Sequence, residues 1–272
     1  MFGISRQALY QQASRDALRE QELLRLKTLV VEVRRQMPRI GTRKLYYLLQ
    51  RQLLDMNMKI GRDAFFDYLR REQLLIKPNK RYTKTTFSKH WLHKHTNHLR
   101  QLNIYRPEQV FVSDITYIKS MERTHYLSLV TDAYSRKIVG YKLSDDMSAE
   151  NVVQALKMAI TNRNTELPLI HHSDRGLQYC SQIYQEVLSD NKIVPSMTDG
   201  YDCYQNALAE RINGILKQEF LIHKCKTATQ LERLVRESVE IYNTKRPHLS
   251  LQMKTPNFVH EKTCEEILTR LF

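Results

Sequence analysis

Apolar residues recur at helical spacing near the start of the chain. Between residues 5 and 37 they repeat every three or four positions, at Leu23, Leu26, Val30, Val33 and Met37. Ser5 is placed to cap this helix, and Pro38 ends it because a proline cannot continue the helical backbone. The pattern predicts one long helix over residues 5–37.

Two shorter helices are predicted next, over residues 41–53 and 62–75. Thr42 stands in the N-cap position of the first, and each has a leucine-containing apolar face. A tight pair of helices rich in arginine and lysine resembles a helix-turn-helix, and it fits a helical pair with a solvated basic face equally well. In the DNA-binding interpretation, the basic residues that contact DNA are Arg43, Lys44 and Arg62.

Residues 77–106 lose apolar periodicity and are predicted to form a basic linker. Histidines within it suggest a zinc site, at His90, His93, His95 and His98. No cysteine pair accompanies them, so a solvated or phosphate-facing segment is the favoured interpretation.

The pattern changes to short strands after Pro107. Residues 109–118, 125–135 and 137–144 are rich in β-branched and aromatic side chains, which is typical of an antiparallel meander. Helices and buried strands then alternate, with helices over 148–163, 181–190, 205–220 and 227–245 and strands over 167–173 and 192–197. This order predicts an α/β fold with a mixed sheet and helices on its faces.

Charge is divided unevenly along the 272 residues, whose formal net charge is +14. Residues 1–108 hold 23 Lys and Arg against 9 Asp and Glu, whereas residues 109–272 hold 20 of each. A basic N-terminal part is typical of a protein that binds a polyanion, most often nucleic acid. A membrane surface would call for a basic amphipathic helix, and no convincing one is present.

The cysteines and apolar segments bear on location. The four cysteines are scattered without a Cys-x-x-Cys pair, so neither a disulfide framework nor a zinc knuckle is indicated. No stretch approaches the roughly 18–20 apolar residues of a membrane-spanning helix, and residues 1–20 lack the apolar core of a signal peptide. We therefore expect a protein of the reducing cytoplasm.

Two aspartates lie at positions where the sequence pattern suggests a specific role for their charge. Asp114 lies within the apolar run VSDITYI, where an ionised carboxylate is costly unless it is paired or binds a metal. Asp174 follows the strand LPLIHHS, at the carboxyl end where ligands of open α/β sheets bind. Structural alternatives remain for both, namely a bulge at Asp114 and a turn cap at Asp174, helped by Gly176. Asp132 is left out, because DAYSRK is typical of an Asx-type turn.

Glu210 belongs to a polar stripe on a predicted helix. The stripe consists of Asn206, Glu210, Asn213 and Lys217, which share one helical face. A solvent-facing stripe would look the same. Three carboxylates together, however, suit phosphoryl transfer by two metal ions, because Mg²⁺ prefers oxygen ligands and two ions about 3.5–4 Å apart clamp an in-line displacement at phosphorus.

The spacing and neighbours of these acids resemble a known family. Thirty-five residues separate Asp174 from Glu210, which with Asp114 matches the D,D(35)E signature of retroviral integrases and related insertion-sequence transposases. The segments VSDITYI, HHSDRGLQY, NALAERINGILKQE and YNTKRPHLSL, followed by Thr255–Pro256, resemble the OrfB-type subunit of frameshifting insertion-sequence transposases. The similarity extends from the helix-turn-helix region to Pro256.

This resemblance implies a ribonuclease-H-like core and DNA cutting and joining that depend on two Mg²⁺ ions, with Mn²⁺ as a substitute. Asp114, Asp174 and Glu210 would be the catalytic residues and metal ligands, with Asp114 bridging the ions. The expected division is an N-terminal helical segment (1–37), a helix-turn-helix-like DNA-binding domain (38–76), the linker (77–106), the integrase-like catalytic core (107–225), and a C-terminal helix and tail (226–272).

One segment departs from the family. Members often carry Asp-Asn-Ala before the glutamate helix, and this chain has Gln205-Asn206-Ala207 instead. Asp202, three residues earlier, is an alternative cap. The departure leaves the three acids untouched but puts the local loop geometry in doubt.

Three further basic residues are candidates for DNA contact. Lys217 lies two turns beyond Glu210, about 10.5 Å along a helix axis, and the resemblance favours a DNA-backbone contact over an exposed lysine. Arg175 is equally suited to a phosphate contact or a salt bridge with its neighbour. Arg246 lies in a polar cluster that is either a C-terminal lock on the core or, less favoured, a DNA contact.

The hypothesis is therefore a DDE transposase that nicks an element end and then uses the freed 3′-hydroxyl to attack another phosphodiester. Its expected partners are double-stranded DNA, further copies of the chain, and an upstream helix-turn-helix subunit supplied by frameshift fusion. The start at MFGISRQALYQQ fits the downstream half of such a pair, and we expect association with the nucleoid. The alternatives are a ribonuclease-H-like nuclease that only hydrolyses and a non-catalytic DNA-binding regulator.

Overall fold

The computed structural model of the protein describes residues 6–77, 93–100, 102–199 and 206–271. The chain divides into two compact units, residues 1–78 and residues 79–272. Four residues that the sequence analysis singled out lie outside the described residues: Ser5, His90, Asp202 and Gln205.

Three helices form the described part of the N-terminal unit: α1 (Arg6–Gln36), α2 (Thr42–Asp55) and α3 (Arg62–Arg71). Its buried core includes Leu26, Val30, Met37, Ile40, Leu45, Leu49, Phe65 and Leu69. The Tyr68 hydroxyl donates to the Leu23 carbonyl at 2.8 Å, which ties α3 to α1. The helices and most of their predicted inward positions are confirmed.

The predicted cap of α2 is wrong. Gly41 occupies the N-cap, and Thr42 is the first helical residue, with its side chain turned into the core at 9% exposure. Arg43 and Arg62 are exposed, as a DNA contact requires, and Lys44 is half-buried. The Arg62 guanidinium donates to Asp63 at 2.9 Å, so its contact with DNA would compete with this exposed pair.

Five strands of the second unit form one mixed sheet in the order β3-β2-β1-β4-β5. They are β1 (Val110–Lys119), β2 (Thr124–Asp132), β3 (Ile138–Ser144), β4 (Ile170–Ser173) and β5 (Val194–Met197). The first three pair antiparallel, and β4 and β5 continue the sheet in parallel from β1. The predicted meander and mixed sheet are confirmed.

Helices cover both faces of this sheet, as predicted. They are α4 (Ala149–Thr161), α5 (Gln182–Asp190), α6 (Ala207–Ile215), α7 (Ala228–Thr244) and α8 (Pro256–Leu271). The helix predicted over 205–220 changes at its end into a π-helical turn, Leu216–Phe220. A short 3₁₀ turn, Leu249–Leu251, follows α7.

The C-terminal region corrects the sequence-based expectation of a tail, because residues 256–271 form α8. Pro256 occupies the first helical position, where its missing N–H and fixed φ are favourable. The Thr255 hydroxyl accepts a hydrogen bond from the Phe258 amide at 3.4 Å, as an N-cap does. Thr255 and Pro256 together are therefore a sequence signal for the beginning of a helix.

The two faces of β1 meet different helices because its side chains alternate. Phe111 joins the core formed with α4 and α5, whereas Val110 and Val112 join a second cluster with Ala209 of α6. Leu99, Leu102 and Ile104 pack against that second cluster. Part of the predicted linker therefore belongs to the catalytic unit.

Candidate active site

Asp114 lies on β1, and Asp174 directly follows the neighbouring parallel strand β4. The register pairs Val112 of β1 with His172 of β4, and each aspartate lies two residues further along the chain. Oδ1 of Asp174 accepts a hydrogen bond from the Gly176 amide at 3.0 Å. This contact is the turn cap considered as the structural alternative for Asp174, and it engages one of the two carboxylate oxygens.

The two asparagines of the α6 stripe face the sheet, whereas Glu210 and Lys217 are exposed at its edge. Asn206 donates from Nδ2 to the Ser113 carbonyl at 2.9 Å, and Asn213 donates from Nδ2 to Oδ2 of Asp114 at 2.7 Å. Both asparagines are 3% exposed. Because Glu210 lies between them on the same face, these contacts carry its more exposed carboxylate to the edge where Asp114 lies.

The charges of the three acids act on one another's pKa. Burial and the charge of Asp174 raise the pKa of Asp114 to about 7; the hydrogen bond from Asn213 lowers it, and the charge of Glu210 raises it further. Burial and the charge of Asp174 also raise the pKa of Glu210. Each carboxylate therefore repels the protein's other two when all are ionised.

This arrangement fits divalent cations, which would turn the mutual repulsion into attraction. The three acids do not form a group whose ligand atoms all lie within 4.8 Å of one another, among the residues described. Carboxylates that divide themselves between two ions about 3.5–4 Å apart need not meet that condition.

Lys217 lies close to the same site. Its Nζ donates to the Thr116 hydroxyl at 3.0 Å. Burial lowers the pKa of Lys217, and the negative charge of Asp114 opposes that effect. The ammonium thus stands beside the carboxylates with most of its donors still available, as a contact to a DNA phosphate requires.

A second cluster with metal-binding side chains lies away from this site. Glu108, His260 and Cys264 are buried, with ligand atoms within 4.8 Å of one another. The Glu108 carboxylate already accepts hydrogen bonds from the Asn164 amide at 2.6 Å and from the Thr165 amide and hydroxyl at 2.8 and 2.7 Å. Its charge is therefore stabilised without a metal ion.

His260 lies at the centre of this cluster, between Glu108, at 3.4 Å from Nε2, and Asp132, at 3.9 Å from Nδ1. Its Nδ1 also lies 3.0 Å from the Ser135 hydroxyl. Burial lowers the pKa of His260, but the neighbouring carboxylates of Asp132 and Glu108 outweigh it and raise the pKa. Asp132 also accepts from the Ser135 amide at 2.6 Å, which confirms the predicted Asx-type turn. We interpret the cluster as a buried ion-pair network.

The other predicted residues have varied surroundings. Arg175 is half-buried, with Nη2 at 3.8 Å from Oδ1 of Asp199. His172 is buried and shares a 2.9 Å hydrogen bond with the Ser196 hydroxyl, a structural role at the strand end. His93 and His95 make an edge-to-face ring contact at 4.8 Å.

Arg246 is 2% exposed, and Glu219 engages two of its guanidinium nitrogens at 2.8 and 2.6 Å. This is the geometry of the lock alternative. A buried arginine with a paired guanidinium has no donor directed at solvent, so the structure does not support a direct DNA contact by Arg246.

Two site residues received no role from the sequence. Asn213 orients Asp114, and Thr116 holds Lys217. The signal for Asn213 was its position three residues after Glu210 in the polar stripe. Thr116 is two residues after Asp114 and therefore on the same face of β1.

Comparison with known proteins places this site in a family. Residues 104–203 and 191–256 match two families that are both described as Integrase core domain. The chain is 33% identical over 268 residues to the Insertion element IS600 uncharacterized 31 kDa protein of Shigella sonnei, across 96% of this chain and 97% of that protein. The chain belongs to the OrfB-type DDE transposases. Members of this family are polynucleotidyl transferases, and this chain is a transposase of insertion-sequence DNA.

Other similarities of this transposase agree. It is 36% identical over 153 residues to Transposase InsF for insertion sequence IS3A of Escherichia coli strain K12, across 56% of this chain and 53% of that protein. A chain of the simian T-cell lymphotropic virus intasome in complex with PP2A regulatory subunit B56 gamma aligns over 81% of this transposase and 74% of its own length, at 16% identity and a TM-score of 0.50. That structural likeness supports the ribonuclease-H-like fold alone. Among the described helices, none has the length and apolar character to cross a membrane.

Proposed function

We propose that Asp114, Asp174 and Glu210 hold two Mg²⁺ ions, and that the transposase uses them to cut the ends of its insertion sequence and join them to a target. The observation that carries this proposal is the contact of α6 with the central strand, where Asn213 holds Oδ2 of Asp114 three residues after Glu210. Burial, and then the charges of Asp174 and Glu210, raise the pKa of Asp114 there to about 7. A resting site with this much like charge is costly unless cations bind there.

The roles of the acids follow from their positions. Asp114 lies on the central strand β1, which pairs with β4, just before Asp174, and packs against α6, which carries Glu210. From this position Asp114 would contribute to holding both ions, and Asp174 and Glu210 would each help to hold one. When bound, the two ions neutralise charge on the phosphate and on the attacking and leaving oxygens. The protein's own part is to fix the carboxylate oxygens, as Asn213 does for Oδ2 of Asp114 and Gly176 for Oδ1 of Asp174.

DNA would reach this site along basic side chains. Lys217 and Arg175 flank the carboxylates, and Arg43, Lys44 and Arg62 belong to the basic N-terminal unit. Phosphate contacts of this kind release counterions, so binding should weaken steeply with added salt. The proposed division assigns DNA binding to residues 38–76, within the basic N-terminal unit, and catalysis to residues 107–225.

Partners beyond DNA are proposed from family membership. Cutting and joining two element ends calls for more than one copy of the chain on DNA, and an upstream helix-turn-helix subunit supplied by frameshifting would add end recognition. Association with the nucleoid would follow from DNA binding. Strand-transfer assays with and without the upstream subunit test this part of the proposal.

The central experiment uses the purified protein with labelled DNA that carries the terminal sequences of its own element. We expect cleavage and joined products with Mg²⁺ or Mn²⁺, and loss of both in Asp114→Asn, Asp174→Asn and Glu210→Gln. The control is Glu237→Gln, since Glu237 pairs with exposed Arg233 on α7. Hydrolysis without joining would indicate a nuclease, binding alone would indicate a regulator, and full activity of Asp114→Asn would refute the proposed site.

A further inference from the structure

The π-helical turn Leu216–Phe220 continues the helix that carries Glu210. Its defining contact runs from the Leu221 amide to the Leu216 carbonyl, five residues earlier, at 2.8 Å. Such turns are rare, and they occur frequently at functional sites. This one presents Lys217 to the active site and Glu219 to a different part of the protein.

Lys217 connects the turn to the active site. Its Nζ donates to the Thr116 hydroxyl at 3.0 Å. Thr116 and Asp114 are two residues apart on β1, so they share one face of the strand. The position of the Lys217 ammonium relative to Asp114 therefore depends on the orientation of the turn.

Glu219 connects the turn to the segment after α7. Both of its oxygens accept from Arg246, at 2.8 Å from Nε and 2.6 Å from Nη2, in a bidentate pair. The remaining Nη1 of Arg246 lies 3.0 Å from Nε2 of His248, and the Tyr242 ring centroid lies 5.8 Å from the guanidinium carbon. His248 and the Tyr242 ring thus fix the guanidinium of Arg246, and the guanidinium in turn binds Glu219.

A buried ion pair of this kind is weak evidence for stability, because the loss of hydration offsets much of the attraction between the charges. Its geometric effect is stronger, since a bidentate pair fixes both the distance and the orientation of its partner. The structure gives this fixed geometry to the one turn that carries Lys217.

We propose that Arg246 is a positioning residue for DNA cleavage. Through Glu219 it fixes the π-helical turn, so that Lys217 stays on Thr116 beside Asp114 and meets the phosphate next to the cut. This inference rests on the proposed function. It gives Arg246 an indirect role in DNA engagement, in place of the direct contact that its burial opposes.

The test is a double-mutant cycle on single-turnover cleavage rates. We expect Glu219→Gln to slow cleavage about tenfold in the wild-type background and less than about twofold in a Lys217→Ala background, because residues that act through one another are not additive. Arg246→Lys, which retains charge without the bidentate geometry, should follow Glu219→Gln. The matched control is Glu237→Gln, which removes an exposed pair on α7 and should leave the rate unchanged. Equal slowing by Glu219→Gln in both backgrounds would mean that the pair acts only on stability and would overturn the proposal.

A second measurement does not depend on activity. Hydrogen exchange over residues 214–222 should accelerate at least about tenfold in Glu219→Gln and stay unchanged in Glu237→Gln, because amides exchange faster where local structure opens. Unchanged exchange in Glu219→Gln would show that Arg246 does not hold the turn, and would also overturn the proposal. If the wild-type protein fails to cleave DNA, the proposed function fails, while the exchange result still decides whether the clamp exists.

Discussion

The side-chain amide of Asn213 donates a 2.7 Å hydrogen bond to Oδ2 of Asp114. It joins α6 to the central strand of the sheet and lowers the pKa of Asp114 against the burial and the two charges that raise it. The contact therefore keeps one oxygen of the proposed bridging ligand directed and closer to its ionised form.

Asn213→Ala should weaken metal binding more than it slows the reaction at saturating metal. Partners that orient a metal ligand typically contribute about 10–100-fold in affinity or activity. We expect the Mg²⁺ concentration for half-maximal cleavage to rise at least about tenfold, with much of the maximal rate recovered at high Mg²⁺. Asn191→Ala, at an exposed helix end, is the control. An unchanged Mg²⁺ requirement would contradict the role given to Asn213.

Asp114→Asn should abolish cleavage and yet stabilise the metal-free protein. The unfolded chain releases the Asp114 proton above the ordinary pKa of 3.8, whereas the folded protein retains it until about pH 7. The folded state therefore binds more protons in this interval, and its stability falls as the pH rises. Asp114→Asn removes this loss of stability and should raise the free energy of unfolding by about 1 kcal/mol or more. Each kcal/mol corresponds to roughly 2–4 °C in Tm.

Thermal unfolding of both proteins in EDTA at pH 4 to 8 measures the effect, as the difference in Tm between Asp114→Asn and wild type. The difference should grow between pH 4 and 7, and Mg²⁺ should raise the Tm of the wild type alone. A constant or negative difference would contradict the raised pKa of Asp114 in the folded protein.

Glu108→Gln should destabilise the protein by about 3–5 kcal/mol, because it removes one member of the buried pair that Glu108 forms with His260. Hydrogen bonds from His260, Asn164 and Thr165 overcome the effect of burial and lower the pKa of Glu108 to about 2. Its contribution is therefore present above the ordinary pKa of 4.5 and is lost as the pH falls towards 2. Urea unfolding at pH 7 measures the change in free energy.

The control for this substitution is Glu166→Gln, an exposed acid. His260→Ala combined with Glu108→Gln should cost less than the sum of the two single changes, since they remove the same pair. Added Zn²⁺ should not raise the Tm of the wild type over that of Cys264→Ser. A zinc effect that depends on Cys264 would indicate a metal site in place of the ion-pair network.

Gly140→Ala should prevent normal folding of the catalytic unit. A Cβ at Gly140 would lie 2.1 Å from the Ala155 carbonyl oxygen and 2.9 Å from the Ala159 amide nitrogen, both backbone atoms of α4. Backbone atoms of a packed helix cannot yield as a flexible side chain can, so we expect a cost above the usual ~1–3 kcal/mol of overpacking. Gly214→Ala is the matched control, since nothing lies within 4 Å of its added Cβ and alanine favours a helix by roughly 0.5–1 kcal/mol. Comparable Tm values for the two variants would contradict the close approach of β3 and α4.

The sequence predicted the sheet, and it predicted the positions of Asp114 within one strand and of Asp174 at the end of another. Both predictions depend only on local periodicity and on where strands end. It left the direction of the α6 stripe open, because polar residues at helical spacing suit solvent or a polar partner equally. The partners that decide it, Ser113 and Asp114, lie 93 and 99 residues earlier in the chain. Side-chain partners so far away leave no trace in a local pattern.

Other features were missed for comparable reasons. Leu99, Leu102 and Ile104 lack a helical or strand period, and yet they cover the core. Arg246 could not be separated from the exposed arginines until its partner Glu219, 27 residues earlier, was known. The start of α8 was missed although its signal is local, because Thr255 and Pro256 form a recognisable beginning of a helix.

The position of the His260 side chain determines where this protein can be truncated and still fold. The integrase-core match ends at residue 256, four residues before His260, whose ring lies between the buried carboxylates of Glu108 and Asp132. A fragment trimmed to that limit would keep every acid of the proposed active site and lose the side chain that separates two interior carboxylates. A fragment that folds should therefore extend past the matched residues.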